Sequence, residues 1–415
     1  MDARGGTADR LARLDERLAA SPRTGVAVAA LVAGACVALL LVFTDIKTEG
    51  TVLYRDPGWD RHIYRLMADE GLFEVRLAPY CWRLLMPALA GWSPFSVQAS
   101  FFFLTLLAVW ATGPVLFLTL RARGHPASRA LQVVVLFYAL GWGPKFILAD
   151  FWIPDGLAIC LVTVLLLAAQ GKQLLLFAAV LAAGALTKEA VLFAAPTYIC
   201  LNLRRPLDGA DLARQIGALV PAGLVLAALR LGVAHHNGES AYLATLPEDI
   251  RRFPELYAHY DYRRLFDEIA VDQRWRDRSV DAFLNYTLRP LGLPLVIFAL
   301  LGLKASWRLA LALLPFFALT YAQLLFATDT QRLIVLAAPA LALLAAEGLA
   351  VAGRAGLRPG VTFVAAAGVF ALGLAGPQRY DPPLAGQAVI LAAAALTAFV
   401  PALSGREPQA QPPER

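Results

Sequence analysis

Two short stretches carry the side chains best suited to chemistry on an anionic substrate. The first reads Asp56-Pro57-Gly58-Trp59-Asp60-Arg61-His62-Ile63-Tyr64, and the second Pro79-Tyr80-Cys81-Trp82-Arg83-Leu84-Leu85-Met86-Pro87. A carboxylate beside aromatic and basic groups can act as a general base that takes the proton of an acceptor hydroxyl. Asp56-Pro57-Gly58 is a turn signal, which favours a structural role for Asp56 and leaves Asp60 as the better catalyst. The competing role for Asp60 is a helix cap or a surface pair with Arg61 or Arg65. Arg83 can meet a phosphate through two parallel N–H donors, or it can simply reach toward a membrane interface.

Further along the chain, Lys145, Asp150 and Asp155 share one short connection, Trp142 to Asp155. Acids so spaced could bind a cation or orient a sugar; they could equally cap helices, with Asp155 after Pro154 at a helix start. Thr187-Lys188-Glu189 lies between two apolar runs. An ionisable pair there is costly in lipid and marks a functional site by default. Lys188 could neutralise a lipid-linked phosphate, or it could pair with Glu189 and only hold the break together. Thr328-Asp329-Thr330-Gln331-Arg332 again offers an acid and an arginine, or an ordinary capping turn.

The elements that must position these groups are membrane helices. Hydrophobic residues make up 59% of the 415 and charged ones only 16%, whereas soluble domains run at about 45–50% and about 25%. The excess falls in runs of about 16 to 23 residues, enough for a hydrocarbon core of about 30 Å. The runs lie near 24–44, 97–120, 128–148, 155–170, 174–186, 190–203, 212–233, 286–303, 309–327, 333–350, 360–376 and 384–403. The expectation is an all-α polytopic bundle with about twelve passes. The runs at 174–186 and 190–203 are short and flank 187–189, which predicts a broken hairpin. Basic residues cluster in alternate short loops, at Arg121, Arg123, Arg129, Lys172, Arg204, Arg205, Arg214, Lys304, Arg308, Arg354 and Arg358. The positive-inside pattern puts those loops and both termini in the cytoplasm. This also accounts for much of the net charge of +6 without nucleic acid.

Residues 1–23 are then a cytoplasmic tail, 24–403 the membrane domain and 404–415 a disordered cytoplasmic tail. Two long segments, 45–96 and 235–285, fall outside, and each is long for a plain connection. Trp59, Ile63, Leu66, Met67 and Phe73 recur at mostly helical spacing, with Asp60, Arg61, Arg65 and Asp69 elsewhere. That predicts a helix lying in the interface plane. Residues 248–285 could form two short surface helices. Cys36, Cys81, Cys160 and Cys200 read as small apolar fillers, and His235, His236 and His259 lack partners at zinc spacing. No Gly-rich phosphate loop or Walker lysine is present, which argues against an ATP-driven pump.

In order and placement over most of the chain, these motifs resemble the polytopic GT-C glycosyltransferases. The resemblance rests on Asp60 with Tyr64 on a juxtamembrane helix and on Trp82-Arg83-Leu84-Leu85-Met86-Pro87. Pro154-Asp155 at the start of a span, Thr187-Lys188-Glu189 and the late loop 328–332 complete it. It implies inverting transfer of a sugar from a polyprenyl-phosphate donor to a lipid or cell-envelope glycan on the outer face of the inner (plasma) membrane. Asp60 would be the base, and Lys188 and Arg83 would cradle the departing phosphate. Tyr64, Asp155, Glu189, Asp329 and Arg332 complete the expected substrate site. The chain departs from larger members in having no sizeable C-terminal soluble domain and no Asp-x-Asp pair in the first loop. No cofactor is expected, and a divalent cation is compatible with these residues but not indicated by them. The alternatives are a secondary transporter or flippase for a lipid-linked anion, favoured by a broken hairpin with buried charge, and a non-catalytic scaffold of the same fold.

Overall fold

The computed structural model describes residues 15–18, 21–48, 60–203, 208–236, 240–247, 280–325 and 330–403. Asp56, Trp59, His259, Thr328, Asp329, the surface helices expected over 248–279 and the tail from 404 lie outside the described residues. Among the described residues the regular elements are helices, with no strand beyond a single bridge between Leu77 and His236. In chain order the helices are α1 (Pro22–Val42), α2 (Asp60–Asp69), α3 (Leu85–Gly91), α4 (Val97–Ala122), α5 (Ala127–Tyr138), α6 (Asp155–Gln170), α7 (Leu174–Thr187) and α8 (Ala195–Asn202). Next come α9 (Gly209–Gly217), α10 (Val220–Gly232), α11 (Val280–Leu291), α12 (Leu293–Ala305), α13 (Trp307–Ala322), α14 (Ala338–Arg354), α15 (Pro359–Gly373) and α16 (Leu384–Leu403).

Local sequence sets the ends and breaks. Ser21 caps α1 by accepting from the Thr24 amide, and Pro22 opens the first turn where its missing N–H is harmless. Pro114 inside α4 cannot donate to the carbonyl of Trp110. The Tyr138 hydroxyl from α5 fills that role at 3.1 Å and also meets Val109 O at 2.8 Å. In a membrane such a substitute donor is what makes a helical proline tolerable.

Two expected spans are bent instead of continuous. The 128–148 run is a helix pair bent by 54° across Ala139-Leu140, and Gly143, before Pro144 in the second piece, also leaves helical geometry. The 286–303 run is bent by 103° between α11 and α12. Gly292 sits at the corner with φ 68°, and the side chain of Gln387 on α16 caps the Leu293 amide at 3.0 Å. Among the described residues, four helices are long and apolar enough to cross a membrane, or six if each bent pair is one span. Five more apolar helices among the described residues are shorter; with the six they make eleven, so a count of twelve would need the eight-residue α8 to cross as well.

The bundle wears apolar side chains outward, such as Leu31, Leu175, Leu224, Leu231 and Leu396, as a lipid-facing surface does and a soluble one rarely does at this density. Inside, small residues let helices touch. Gly348 on α14 lies against the Phe298 carbonyl of α12, and Gly302 on α12 against the Leu344 carbonyl of α14. All four cysteines are free; Cys81, expected in a loop, is fully buried.

Helix ends sort into two groups. At one end Arg123 donates to Glu347 (2.9 Å) and Gln170 (3.3 Å), and Asn202 donates to Ala169 O. Arg121 and Arg129 meet His125 there, so the basic residues of the α4–α5 connection gather at this end. Asp60, Asp155, Lys188 and Arg332 lie at the opposite end.

Candidate functional site

Helix α2 carries Asp60 on its first turn and buries Ile63, Tyr64 and Met67 against Leu77, Met86, Phe101 and Trp152. The apolar face expected to lie in an interface plane is thus occupied by protein. Phe73, placed on that stripe by its spacing, is exposed because α2 ends at Asp69. Arg61, expected on the polar side, is buried, with Nη1 3.7 Å from Asp150. The first long segment also meets the start of the second. His236 N donates to Arg76 O (2.7 Å) and Ala78 N to His236 O (2.9 Å), and the His236 ring stacks on Tyr242.

After that bridge, a single 3-10 turn over Tyr80–Trp82 delivers Arg83 into the bundle. Its Nε donates to Glu189 Oε2 at 3.0 Å and its Nη2 to Oε1 at 2.8 Å, while Nη1 donates to the Tyr64 hydroxyl at 3.0 Å. Glu189 comes from the 3-10 stretch that follows α7. The broken hairpin is therefore present: α7 rises to residue 187, the chain breaks at Lys188 in extended geometry, and α8 returns. Lys188 and Glu189 do not pair with each other. Extended backbone at Lys188 turns the two side chains apart: Lys188 Nζ donates to Asp155 Oδ1 at 2.5 Å, while Glu189 takes Arg83.

Arg332, in the single turn before α14, joins the remaining groups. Its Nη2 donates to Asp60 Oδ2 at 2.8 Å, and its Nε lies 3.0 Å from Asp155 Oδ2. Asp155 is the first residue of α6, where the positive end of the helix dipole favours its charge. The free oxygen of Asp60 accepts from the Tyr80 hydroxyl at 2.7 Å. Tyr80 also stands edge-on to Tyr64, with Arg83 over its ring at 5.6 Å. Sequence reasoning gave Tyr80 no role. Its position three residues before Arg83, in an aromatic turn, was the available signal.

The result is one network of three acids (Asp60, Asp155, Glu189) and three cations (Arg83, Lys188, Arg332). Burial pushes the Asp60 carboxyl up, but Arg332, the Tyr80 hydroxyl and Arg83 outweigh it and hold Asp60 below the usual carboxylate range. Burial dominates at Tyr64, whose hydroxyl is pushed up and stays protonated. Burial would strip the proton from Arg83, but Glu189 and Tyr64 keep it firmly charged. A cavity of about 10 Å³, room for about one water, is bordered by Asp155, Lys188, Gln323, Arg332 and Leu336.

Lys145 and Asp150 do not join Asp155. Lys145 is buried and caps the end of α15 by donating to Gly373 O (3.1 Å) and Gly376 O (2.8 Å). Asp150 accepts from Lys47 at 3.0 Å. Asp329 lies outside the described residues, whereas Arg332 from the same motif is central. Such an arrangement offers a shielded carboxylate and three cations able to hold an anion. Compared with known protein families and curated proteins, the chain matches no family model and no curated protein.

Proposed function

We propose that this chain is a multi-pass membrane glycosyltransferase of the GT-C type. It would move a sugar from a polyprenyl-phosphate donor to a lipid or cell-envelope glycan, with the network at the outer face and the basic end in the cytoplasm. In this reading the shorter apolar helices complete about twelve passes. Asp60 takes the proton of the acceptor hydroxyl as that oxygen attacks the anomeric carbon. The bond from that carbon to the phosphate oxygen breaks, and the electron pair leaves on the phosphate, inverting the centre. Arg332, Lys188 and Arg83 supply positive charge for the departing dianion.

One observation carries the reading. Asp60, Arg83, Asp155, Lys188, Glu189 and Arg332 come from well-separated segments and converge at one end of the bundle. A transporter for a lipid-linked anion would be better served by charges midway along broken helices, and here they sit at helix ends. The test is transfer from a radiolabelled polyprenyl-phosphate sugar by purified protein in lipid nanodiscs. Asp60→Asn should lower turnover by about 10² to 10⁴-fold, the usual share of a general base, with unchanged yield. Full turnover by Asp60→Asn would sink the assignment.

A further inference from the structure

The three cations are not equivalent. Arg83 is held on both nitrogen arms by one carboxylate and on a third donor by Tyr64. Lys188 is buried against Asp155. Arg332 instead spreads one contact to Asp60 and one to Asp155, which keeps its own tie to Lys188. Arg332 also borders the cavity. Its side chain retains 14% exposure, and that of its partner Asp60 18%. Of the three it is the one divided between two carboxylates.

Its present partner matters as much as its position. Asp60 has one oxygen on Arg332 and the other on Tyr80. A carboxylate so held is a poor proton acceptor, because each donor stabilises its charged form. The proposed base and an anion-binding arginine thus occupy each other while no substrate is bound.

We infer that Arg332 exchanges partners: the phosphate of the lipid-linked donor draws it off Asp60, so that binding the donor and releasing the base are one event. This rests on the proposed transferase reading and adds an order to it, donor before proton transfer. The physical basis is competition for one guanidinium between a carboxylate and a phosphate. A ligand that binds better when Arg332 is free must weaken the Arg332–Asp60 contact by the same factor. Arg83 and Lys188, tied to Glu189 and Asp155, remain in place and keep the site charged while Arg332 moves.

Competition makes an unusual demand on the base itself. Asp60→Asn removes the charge that competes for Arg332, with almost no change in shape. The experiment is binding of farnesyl monophosphate to full-length protein in nanodiscs by calorimetry, with inorganic phosphate as a second arm. Asp60→Asn should bind farnesyl phosphate about tenfold more tightly than wild type, and Arg332→Gln about tenfold or more weakly. In the combined variant the gain from Asp60→Asn should vanish. Equal response to inorganic phosphate would assign the site to the free anion and overturn the lipid-linked donor. Equal or weaker binding by Asp60→Asn, with its folding verified by an unchanged thermal midpoint, would overturn the exchange, as would absence of binding in both proteins. These outcomes are read without turnover, so they are separate from the loss of transfer that tests Asp60 as base.

Discussion

Arg83 and Glu189 meet on both oxygens, at 3.0 and 2.8 Å, although 106 residues separate them in the chain. The pair ties the turn after α2 to the break after α7, and through Tyr64 it reaches back into α2 itself. It is a two-point link between the first long segment and the hairpin.

That link should be measurable as stability. Removing one member strands the other, which costs about 3–5 kcal/mol in a fully buried pair. The Glu189 side chain keeps 30% exposure, so about 2 kcal/mol is the better expectation for Glu189→Gln. Thermal denaturation in detergent should show a clear fall for Glu189→Gln and for Arg83→Gln, with much of it recovered in the double variant. A coupling energy below about 0.5 kcal/mol would mean that the two act independently.

The setting of Asp60 fixes how activity should follow pH. Its carboxyl is held below the usual range, so it is ionised in the resting protein at neutral pH. By linkage, a depressed native value contributes stability that is full above the unfolded value of about 3.9 and lost as pH falls through the native one. If Arg332 leaves when donor binds, Asp60 loses part of what lowers it. The acid limb of kcat, which reports the bound complex, should then lie at higher pH than that of kcat/KM for the donor, which reports free protein. Tyr80→Phe removes one donor to Asp60 and should raise both limbs. Coincident limbs in wild type would argue against the exchange, and an unmoved profile in Tyr80→Phe against Tyr80 as a positioning residue.

Most helices were legible because long apolar runs admit little else, and the hairpin break was legible because Thr187-Lys188-Glu189 interrupts one such run. Continuity was harder to read. Gly143-Pro144 and Gly292 interrupt their segments, yet glycine and proline also occur within unbroken helices, as Pro114 does in α4 once Tyr138 supplies the missing donor. That Asp60, Arg83, Asp155, Lys188, Glu189 and Arg332 would need partners was legible, because charge inside an apolar chain needs a reason, and Tyr64 meets them through Arg83. Pairing was not. Lys188 and Glu189 are adjacent in sequence but point apart, and their partners come from more than 30 and more than 100 residues away. Arg61 and Lys145 resemble surface charges in the sequence and are buried because distant carbonyls and carboxylates reach them.

Orientation can be tested directly. Arg121, Arg123 and Arg129 gather at the end that carries Glu347, and the proposed orientation, based on the positive-inside pattern, puts that end in the cytoplasm. In a background lacking the four native cysteines, a cysteine at exposed Glu70 should react with an impermeant maleimide on intact cells. One at exposed Lys172 should react only after the membrane is opened. The reverse pattern would put the network on the cytoplasmic face and remove the outer-face transferase.

Close helix contact makes a prediction that involves no charge. A side chain at Gly348 would meet the Phe298 carbonyl, and one at Gly302 the Leu344 carbonyl. Backbone cannot yield as a flexible side chain can, so Gly348→Val should force α12 and α14 apart and cost about 1–3 kcal/mol, the range for overpacking a core. Gly353→Val, at a position with open space around it, is the control. Equal thermal midpoints for the two variants would show that the α12–α14 contact is looser than described.

Lys188 and Asp155 give the last test, which separates charge needed for chemistry from charge needed for folding. Their contact of 2.5 Å is buried on both sides. Lys188→Met keeps the length of the side chain and removes its charge, leaving Asp155 with Arg332 alone. Arg332 should then be drawn toward Asp155 and away from Asp60, lowering both stability and donor binding. Lys188→Arg keeps the charge but changes donor geometry, so part of the binding should survive. Adding Asp155→Asn to Lys188→Met removes the stranded acid and should restore the thermal midpoint. Asp155 and Glu189 are the two acids in reach of the hairpin tip, but only Asp155 contacts Lys188, so Glu189→Gln should not rescue. Transfer should stay low in the refolded Lys188→Met, Asp155→Asn protein, because the leaving phosphate still lacks a cation. Recovery of full transfer there would show that Lys188 only supports the fold, and would leave Arg83 and Arg332 to hold the phosphate.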